Sequence, residues 1–131
     1  MRVLLIEDEP TTARAIELML TTEGFNVYST DLGEEGLDLG KLYDYDIILL
    51  DLNLPDMGGV DILDKVKANV HTKRSPVVVL TTTDDSREIQ RCYDLGANVY
   101  VTKPVNYEGF ANAIRQLGLF FSVIQVPPAA Q

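Results

Sequence analysis

Acidic residues occur at the ends of two apolar runs in this sequence. Glu7 and Asp8 follow the run at residues 3–6, and Asp51 follows the run at residues 47–50. If these runs are neighbouring parallel strands, the three carboxylates meet at one edge of a sheet. Their mutual repulsion must then be relieved by a bound cation or a bound proton. The sequence therefore predicts an ion site at this edge.

Two further side chains are expected at the same edge. Thr81 ends the apolar run at residues 76–80, and Lys103 follows the run at residues 98–102. Each residue alone is typical of an ordinary strand or surface loop, so neither is informative by itself. The combination of three carboxylates, a hydroxyl and an ammonium group favours a functional site over a chance cluster.

The elements that must position these residues follow from the apolar pattern. Short β-type runs alternate with segments of helical period, which is typical of a parallel sheet covered by helices on both faces. A doubly wound sheet of five such units commonly has the strand order 2-1-3-4-5, as in flavodoxin-like α/β folds, with its ligand site between strands 1 and 3. We expect strands at residues 2–6, 26–30, 45–50, 76–81 and 98–102.

Helical spacing is clearest around Phe110, Ala113, Ile114 and Leu117, whereas the second strand and the second helix, at residues 33–42, are weakly patterned. Pro10 suits the first turn of a helix. Asp84 and Asp85 are suited to capping the amide groups of the fourth helix.

The composition limits the classes of function. The 131 residues fit one domain, and their net charge of -9 disfavours binding to nucleic acid or to an anionic membrane by this segment alone. The single Cys92 excludes an internal disulfide. The sequence has no charged-then-apolar leader and no long apolar run, so we expect a cytoplasmic protein without a membrane segment.

In their order and spacing, these residues resemble the receiver domains of two-component response regulators over essentially the whole chain. Thr81 lies thirty positions after Asp51, and the Lys103-Pro104 pair begins twenty-two positions after Thr81. The resemblance implies that Asp51 accepts a phosphoryl group. It also implies that Thr81 and Lys103 contact the phosphoryl oxygens.

The resemblance implies a metal cofactor, Mg²⁺. Glu7, Asp8 and Asp51 would hold the ion directly or through water, and the backbone carbonyl of Asn53 would complete the protein ligands. Oxygen ligands in small number suit a hard cation that keeps several waters. His71 is too isolated in the sequence to be a ligand. Glu7 departs from the family pattern, in which Asp is commoner at this position.

The resemblance further implies partners and a switch. The phosphoryl group would come from a sensor histidine kinase or a phosphotransfer protein, and the chain would catalyse only its own phosphorylation and dephosphorylation. Tyr100 occupies the position of the aromatic residue that turns inward as Thr81 moves; its alternative role is to pack on the fourth helix. Phosphorylation would then change the face formed by the fourth helix, the fifth strand and the fifth helix.

Three other functions share parts of this pattern. An aspartyl phosphohydrolase of the haloacid dehalogenase type needs a second Asp two positions after the first, where this chain has Asn53. A flavin-binding protein needs a loop that attracts phosphate, whereas the acids at residues 7–9 would repel it. A phosphate-independent interaction module, or pseudo-receiver, would keep the fold but not need the complete set of site residues.

The ends and the two halves of the chain differ in character. We expect the receiver domain at residues 1–118 and an apolar helical extension with a Pro-containing tail at residues 119–131. Phe120, Phe121 and Ile124 continue the helical period, as a stripe that either folds back on the domain or forms a partner or dimer surface. The face formed by the fourth helix, the fifth strand and the fifth helix is the other candidate dimer surface. Residues 1–67 resemble CtrA-type receivers, and the residues from about 72 onward resemble stand-alone receivers. A recombined or engineered chain explains this difference, and an unusual natural branch of the family is the alternative.

Overall fold

The computed structural model describes residues 2–52, 54, 56, 58–70, 72–81, 85–102, 112 and 116. Within this part of the chain, strands and helices alternate. The strands are β1 (Arg2–Ile6), β2 (Asn26–Thr30), β3 (Ile47–Asp51), β4 (Val77–Thr81) and β5 (Val99–Thr102). The helices are α1 (Pro10–Thr22), α2 (Gly33–Leu42), α3 (Gly59–Ala68) and α4 (Ser86–Asp94). Of the predicted fifth helix, Asn112 and Gln116 are described, and both are helical.

The strands form one parallel sheet in the order β2-β1-β3-β4-β5, which confirms the predicted flavodoxin-like α/β fold. Ile6 pairs with Leu50, and Asp51 pairs with Leu80. The carboxyl ends of β1, β3 and β4 therefore lie side by side. The third strand begins two residues later than predicted, at Ile47, and ends one residue later, at Asp51, because Leu52 N–H continues the ladder by donating to Leu80 O at 3.0 Å. β4 and β5 each begin one residue later than predicted.

The sheet has an apolar core on each face. Leu4, Ile48 and Leu50 pack toward α2 and α3, whereas Leu5 and Leu49 pack toward α1. Every residue of β3 and β4 is buried, which explains why their sequences are almost wholly apolar. β2 is an edge strand and is mostly exposed, which accounts for its weak pattern.

The weak pattern of α2 has a packing cause. Gly33, Gly36 and Gly40 are its buried residues. A Cβ at Gly36 would lie only 2.6 Å from Cδ1 of Ile6 in β1, so glycine lets this helix approach the sheet closely. The glycines that weaken the helical pattern of α2 in the sequence are thus the residues that let this helix pack closely on the sheet.

The helices differ in how firmly they are held. α3 buries Gly59, Ile62, Leu63 and Val66, whereas Cys92 is the buried residue of α4. Asp85 accepts the N–H of Arg87 at 2.9 Å and caps α4 as predicted, while Asp84 lies outside the described residues. None of the helices in the described ranges combines the length and the apolar character needed to span a lipid bilayer.

Candidate functional site

The structure brings the three predicted acids together at the carboxyl edge of the sheet. One carboxylate oxygen from each of Glu7, Asp8 and Asp51 lies within 4.8 Å of the other two. Asp51 is the last residue of β3, and Glu7 directly follows β1, where its N–H donates to Thr30 O at 3.0 Å. The sheet backbone therefore fixes the backbone positions of Glu7 and Asp51.

Burial raises the electrostatic cost of holding these three carboxylates together. Glu7 is 2 % exposed and Asp51 is 1 % exposed, whereas Asp8 is exposed to solvent. Carboxylates held this close and away from water repel one another unless positive charge or a proton compensates them. All three offer oxygen ligands, and the exposed side leaves room for water, which fits Mg²⁺ better than a closed zinc site.

Thr81 lies at the neighbouring strand end. It is the last residue of β4, it is 1 % exposed, and it pairs with Thr102 of β5. Lys103, which follows Thr102 in the sequence, lies outside the described residues, and so does Asn53. Their assignments as phosphoryl-contacting residue and carbonyl ligand therefore stay predictions.

Tyr100 lies on β5 at a half-exposed position. Its side chain is 37 % exposed and meets the ring of Tyr93 in α4 edge-on, with ring centroids 5.8 Å apart and an interplanar angle of 75°. The structure thus shows the packing on the fourth helix that the sequence left as one alternative. The role of Tyr100 as a switch residue stays a prediction.

The carboxylate of Glu9, the third acid of the loop after β1, hydrogen-bonds to the first turn of α1. Its carboxylate accepts N–H groups from Thr11 at 3.1 Å and Thr12 at 2.7 Å, and the Thr12 hydroxyl at 2.6 Å. Glu9 is thereby the N-cap of α1, with Pro10 as first helical residue. Sequence reasoning placed Pro10 correctly but missed the cap, because Glu is an uncommon capping residue. These contacts direct the Glu9 carboxylate to the helix.

We expect Glu9→Ala to lower the free energy of unfolding at neutral pH, because the first turn of α1 loses its acceptor. The hydrogen bonds, that of the Thr12 hydroxyl first, hold the pKa of Glu9 below its ordinary value of 4.5. The stabilisation is therefore present above that value and is lost as the pH falls through the depressed pKa of the folded state.

Urea denaturation of wild type, Glu9→Ala and Glu9→Gln at neutral and strongly acidic pH measures this effect. Glu9→Gln keeps a capping oxygen without the charge and should fall between the other two proteins at neutral pH. A difference between wild type and Glu9→Ala that is the same at both pH values would contradict the argument.

Several predicted features fall on residues that the structure does not describe. They are the extension at residues 119–131, with its stripe of Phe120, Phe121 and Ile124, and the isolated His71. The boundary between receiver and extension near residue 118 falls there too, so it stays a prediction.

Comparisons with known proteins agree with this fold. The cell cycle transcriptional regulator CtrA of Caulobacter vibrioides is 56% identical over 105 residues, which are 79% of this chain and 44% of that protein. The chain therefore spans less than half the length of this relative. A solved response regulator receiver domain from Rhodospirillum rubrum is 56% identical, with a TM-score of 0.78 and 97% of both chains covered.

A third relative concerns the metal. The solved receiver domain of a sensor histidine kinase from Pseudomonas aeruginosa contains a magnesium ion coordinated in its active site cleft. It is 27% identical, with a TM-score of 0.78, and the match covers 88% of this chain and 94% of that one.

The similarity to CtrA-type receivers is confirmed, and one Rhodospirillum rubrum domain is similar along both halves of this chain. The hypothesis of a recombined chain stays a hypothesis. The family of response regulator receiver domains matches residues 3–115, across all the strands and helices described above. This protein therefore belongs to the receiver domains of two-component response regulators.

Proposed function

We propose that Asp51 accepts a phosphoryl group from a sensor histidine kinase or a phosphotransfer protein, with Mg²⁺ held by Glu7, Asp8 and Asp51. The observation that carries this proposal is the carboxylate cluster, in which two buried acids and one exposed acid share one strand edge. A cluster of this kind has a large electrostatic cost without a cation. Such a cost at the acceptor position favours phosphoryl chemistry over a phosphate-independent module.

Each residue has a distinct role in the transfer. A carboxylate oxygen of Asp51 forms a bond to phosphorus as the bond from phosphorus to the donor breaks, and the donor nitrogen leaves with the electron pair. Bound Mg²⁺ supplies positive charge to the transferring oxygens. The Thr81 hydroxyl donates to a phosphoryl oxygen, and the Lys103 ammonium pairs with another. The chain thus turns over its own phosphoryl group, and no other substrate is proposed.

The signal would leave the site through β4 and β5. Thr81 and Tyr100 occupy diagonal positions on one face of these strands, since Thr81 pairs with Thr102 and Val79 pairs with Tyr100. Diagonal neighbours in a sheet are within reach of an aromatic ring. When Thr81 moves toward the phosphoryl group, Tyr100 turns into the space beside it and leaves Tyr93.

Phosphorylation on this proposal shifts an existing equilibrium of the face formed by α4, β5 and the fifth helix. Backbone NMR spectra with and without beryllofluoride, a mimic of the acyl phosphate, test the idea in the presence of Mg²⁺. We expect changed shifts at Thr81, at Tyr100 and along α4. Asp51→Asn is the control and should show none of these changes. Identical spectra of wild type with and without the mimic would refute the switch.

Receiver domains of response regulators interact with histidine kinases or phosphotransfer proteins, and we propose cytoplasmic partners of this kind here. The half-exposed Tyr93 and Tyr100 support the face of α4 and β5 as a contact surface. A homodimer through this face, or through the stripe at Phe120, Phe121 and Ile124, stays part of the proposal.

A further inference from the structure

The edge strand β2 leaves one side of its backbone open. It pairs with β1, and no other strand in the described part of the chain pairs with it. Successive residues of a strand direct their backbone groups to opposite sides. Thr30 O accepts the N–H of Glu7, which follows β1, so the backbone groups of Thr30 and Tyr28 face β1. The N–H and C=O groups of Val27 and Ser29 therefore point away from the sheet.

This edge lacks the features with which proteins usually protect an exposed strand. Such strands commonly carry a charged residue, a proline or a bulge, each of which hinders pairing with another chain. The sequence of β2, at residues 26–30, contains neither a charge nor a proline. Its residues pair with β1 in continuous register, without a bulge. With five residues, β2 has the ordinary length of a strand and is not a shortened edge. It can therefore accept a further strand.

The side chain at the centre of this edge is aromatic and partly exposed. Tyr28 is the middle residue of β2 and is 38 % exposed. Its ring stacks on that of Tyr43, with centroids 5.8 Å apart and an interplanar angle of 16°, and meets the ring of Tyr45 edge-on at 5.9 Å. These contacts hold the ring in place without a partner, which lowers the entropic cost of binding at this position.

We propose that a second copy of this chain pairs with this edge, so that the two β2 strands lie antiparallel and join the sheets of both copies. A two-fold axis beside Tyr28 places Val27 of each copy opposite Ser29 of the other. These are the residues whose backbone groups point away from the sheet, and an antiparallel pair of this type exchanges both of its N–H···O bonds. A contact that uses the same surface on both copies closes as a dimer.

The side chains are compatible with the same register. Tyr28 lies opposite Tyr28 of the second copy, in the closer, non-hydrogen-bonded type of pair. Aromatic pairs opposite each other stabilise a sheet, whereas like charges opposite each other destabilise it. Asp31, which follows β2, falls opposite Phe25 of the second copy and not opposite another acid. This self-complementarity favours a second copy over an unrelated strand. The surface is also separate from the face of α4 and β5, since β2 and β5 are opposite edges of the sheet.

The overall charge of the chain gives the proposed dimer a characteristic salt dependence. Each copy has a net charge of -9, so the two copies repel each other, although β2 itself is neutral. At about 1 M salt the screening length falls to about 3 Å, which removes most of this repulsion. The dimer should therefore tighten as salt is added. Dissociation by added salt would point to a contact between charged patches and would overturn the proposal.

Sedimentation equilibrium of the full chain over a range of concentrations tests the surface. Wild type should dimerise reversibly. Tyr28→Lys should weaken the dimer about tenfold, because two ammonium groups would meet where two rings met. Tyr93→Lys is the matched control, since Tyr93 lies on α4 and is 40 % exposed. Its dissociation constant should stay near that of wild type.

Mixing two variants tests the register. Tyr28→Glu should weaken the dimer for the same reason as Tyr28→Lys. A mixture of the two proteins should associate more tightly than either protein alone, because opposite charges then face each other across the two-fold axis. Such a rescue also shows that both variants fold. A mixture that associates no better than its components would overturn the proposed pairing.

Hydrogen exchange gives a readout at single residues. The amides of Val27 and Ser29 should exchange more slowly as the protein concentration rises, whereas the Tyr28 amide, which faces β1, should not respond. Wild type that stays monomeric at every concentration overturns the proposal. So does a dimer that Tyr93→Lys disrupts and Tyr28→Lys does not. Protection of Val27 and Ser29 that does not depend on concentration would mean that the same chain covers its own edge, and this too overturns it.

Discussion

Asp51→Asn should abolish the uptake of a phosphoryl group, whereas wild type incubated with acetyl phosphate and Mg²⁺ should gain the mass of one. The physical reason is that an amide oxygen is a far weaker nucleophile than a carboxylate oxygen. The substitution also removes one of the three charges that would attract the cation. Intact-mass spectrometry measures the result directly, and labelling of the variant should fall to background.

The control for this experiment is another acid on a nearby element. Asp64 lies exposed on α3, so Asp64→Asn should be labelled like wild type. Chelation of Mg²⁺ should prevent labelling of wild type. A phosphorylated histidine kinase serves as the second donor in the same comparison. Labelling of Asp51→Asn to the extent of wild type would mean that another residue is the acceptor.

Gly59→Ala should be among the most destabilising single substitutions in the described part of the chain. The added methyl group would lie 2.3 Å from Cα and 2.8 Å from O of Leu52, and the backbone cannot rotate away as a side chain can. We expect a loss of about 3 kcal/mol in the free energy of unfolding, at the upper end of the cost of overpacking. Because Leu52 adjoins Asp51, phosphoryl uptake should fall as well.

The preceding residue provides a matched control. A Cβ at Gly58 would have Oδ2 of Asp61 as its nearest neighbour, at 3.4 Å, and the backbone there is extended with φ of -67°. Gly58→Ala should therefore change the free energy of unfolding by less than about 1 kcal/mol. Urea denaturation of the three proteins measures both effects, and equal stabilities of the two variants would show that the loop relaxes around the added methyl group.

Much of the fold could be predicted because its signal is local. β3 and β4 are buried on both faces, and their sequences are correspondingly continuous apolar runs. Once these runs are strands of a doubly wound sheet, topology alone brings Glu7, Asp8 and Asp51 to one edge. The closeness of the three carboxylates was therefore predictable without any knowledge of side-chain packing.

The features that sequence reasoning missed depend on contacts between distant residues. The side chain of Asp56 accepts the N–H of Gly33, more than twenty positions away, and nothing in the local pattern pairs them. The same holds for Gly36, whose role is set by Ile6 of another strand. The Glu9 cap was missed for a different reason, because its type is unusual at that position. Prediction from the sequence was therefore limited by contacts between distant residues and by the use of an uncommon capping residue.

On the proposed function, the few buried residues of α4 set the free energy that phosphorylation must supply to shift this helix. A helix with Cys92 as its buried residue gives up little apolar burial if it shifts, on the order of 1 to 2 kcal/mol. A doubly charged group that gains a few charge-assisted hydrogen bonds can match that amount. The rest of the domain, with two strands wholly enclosed, can stay rigid meanwhile. Shifting α4 on phosphorylation and returning it afterwards would then require little free energy, and neither step would require partial unfolding of the domain.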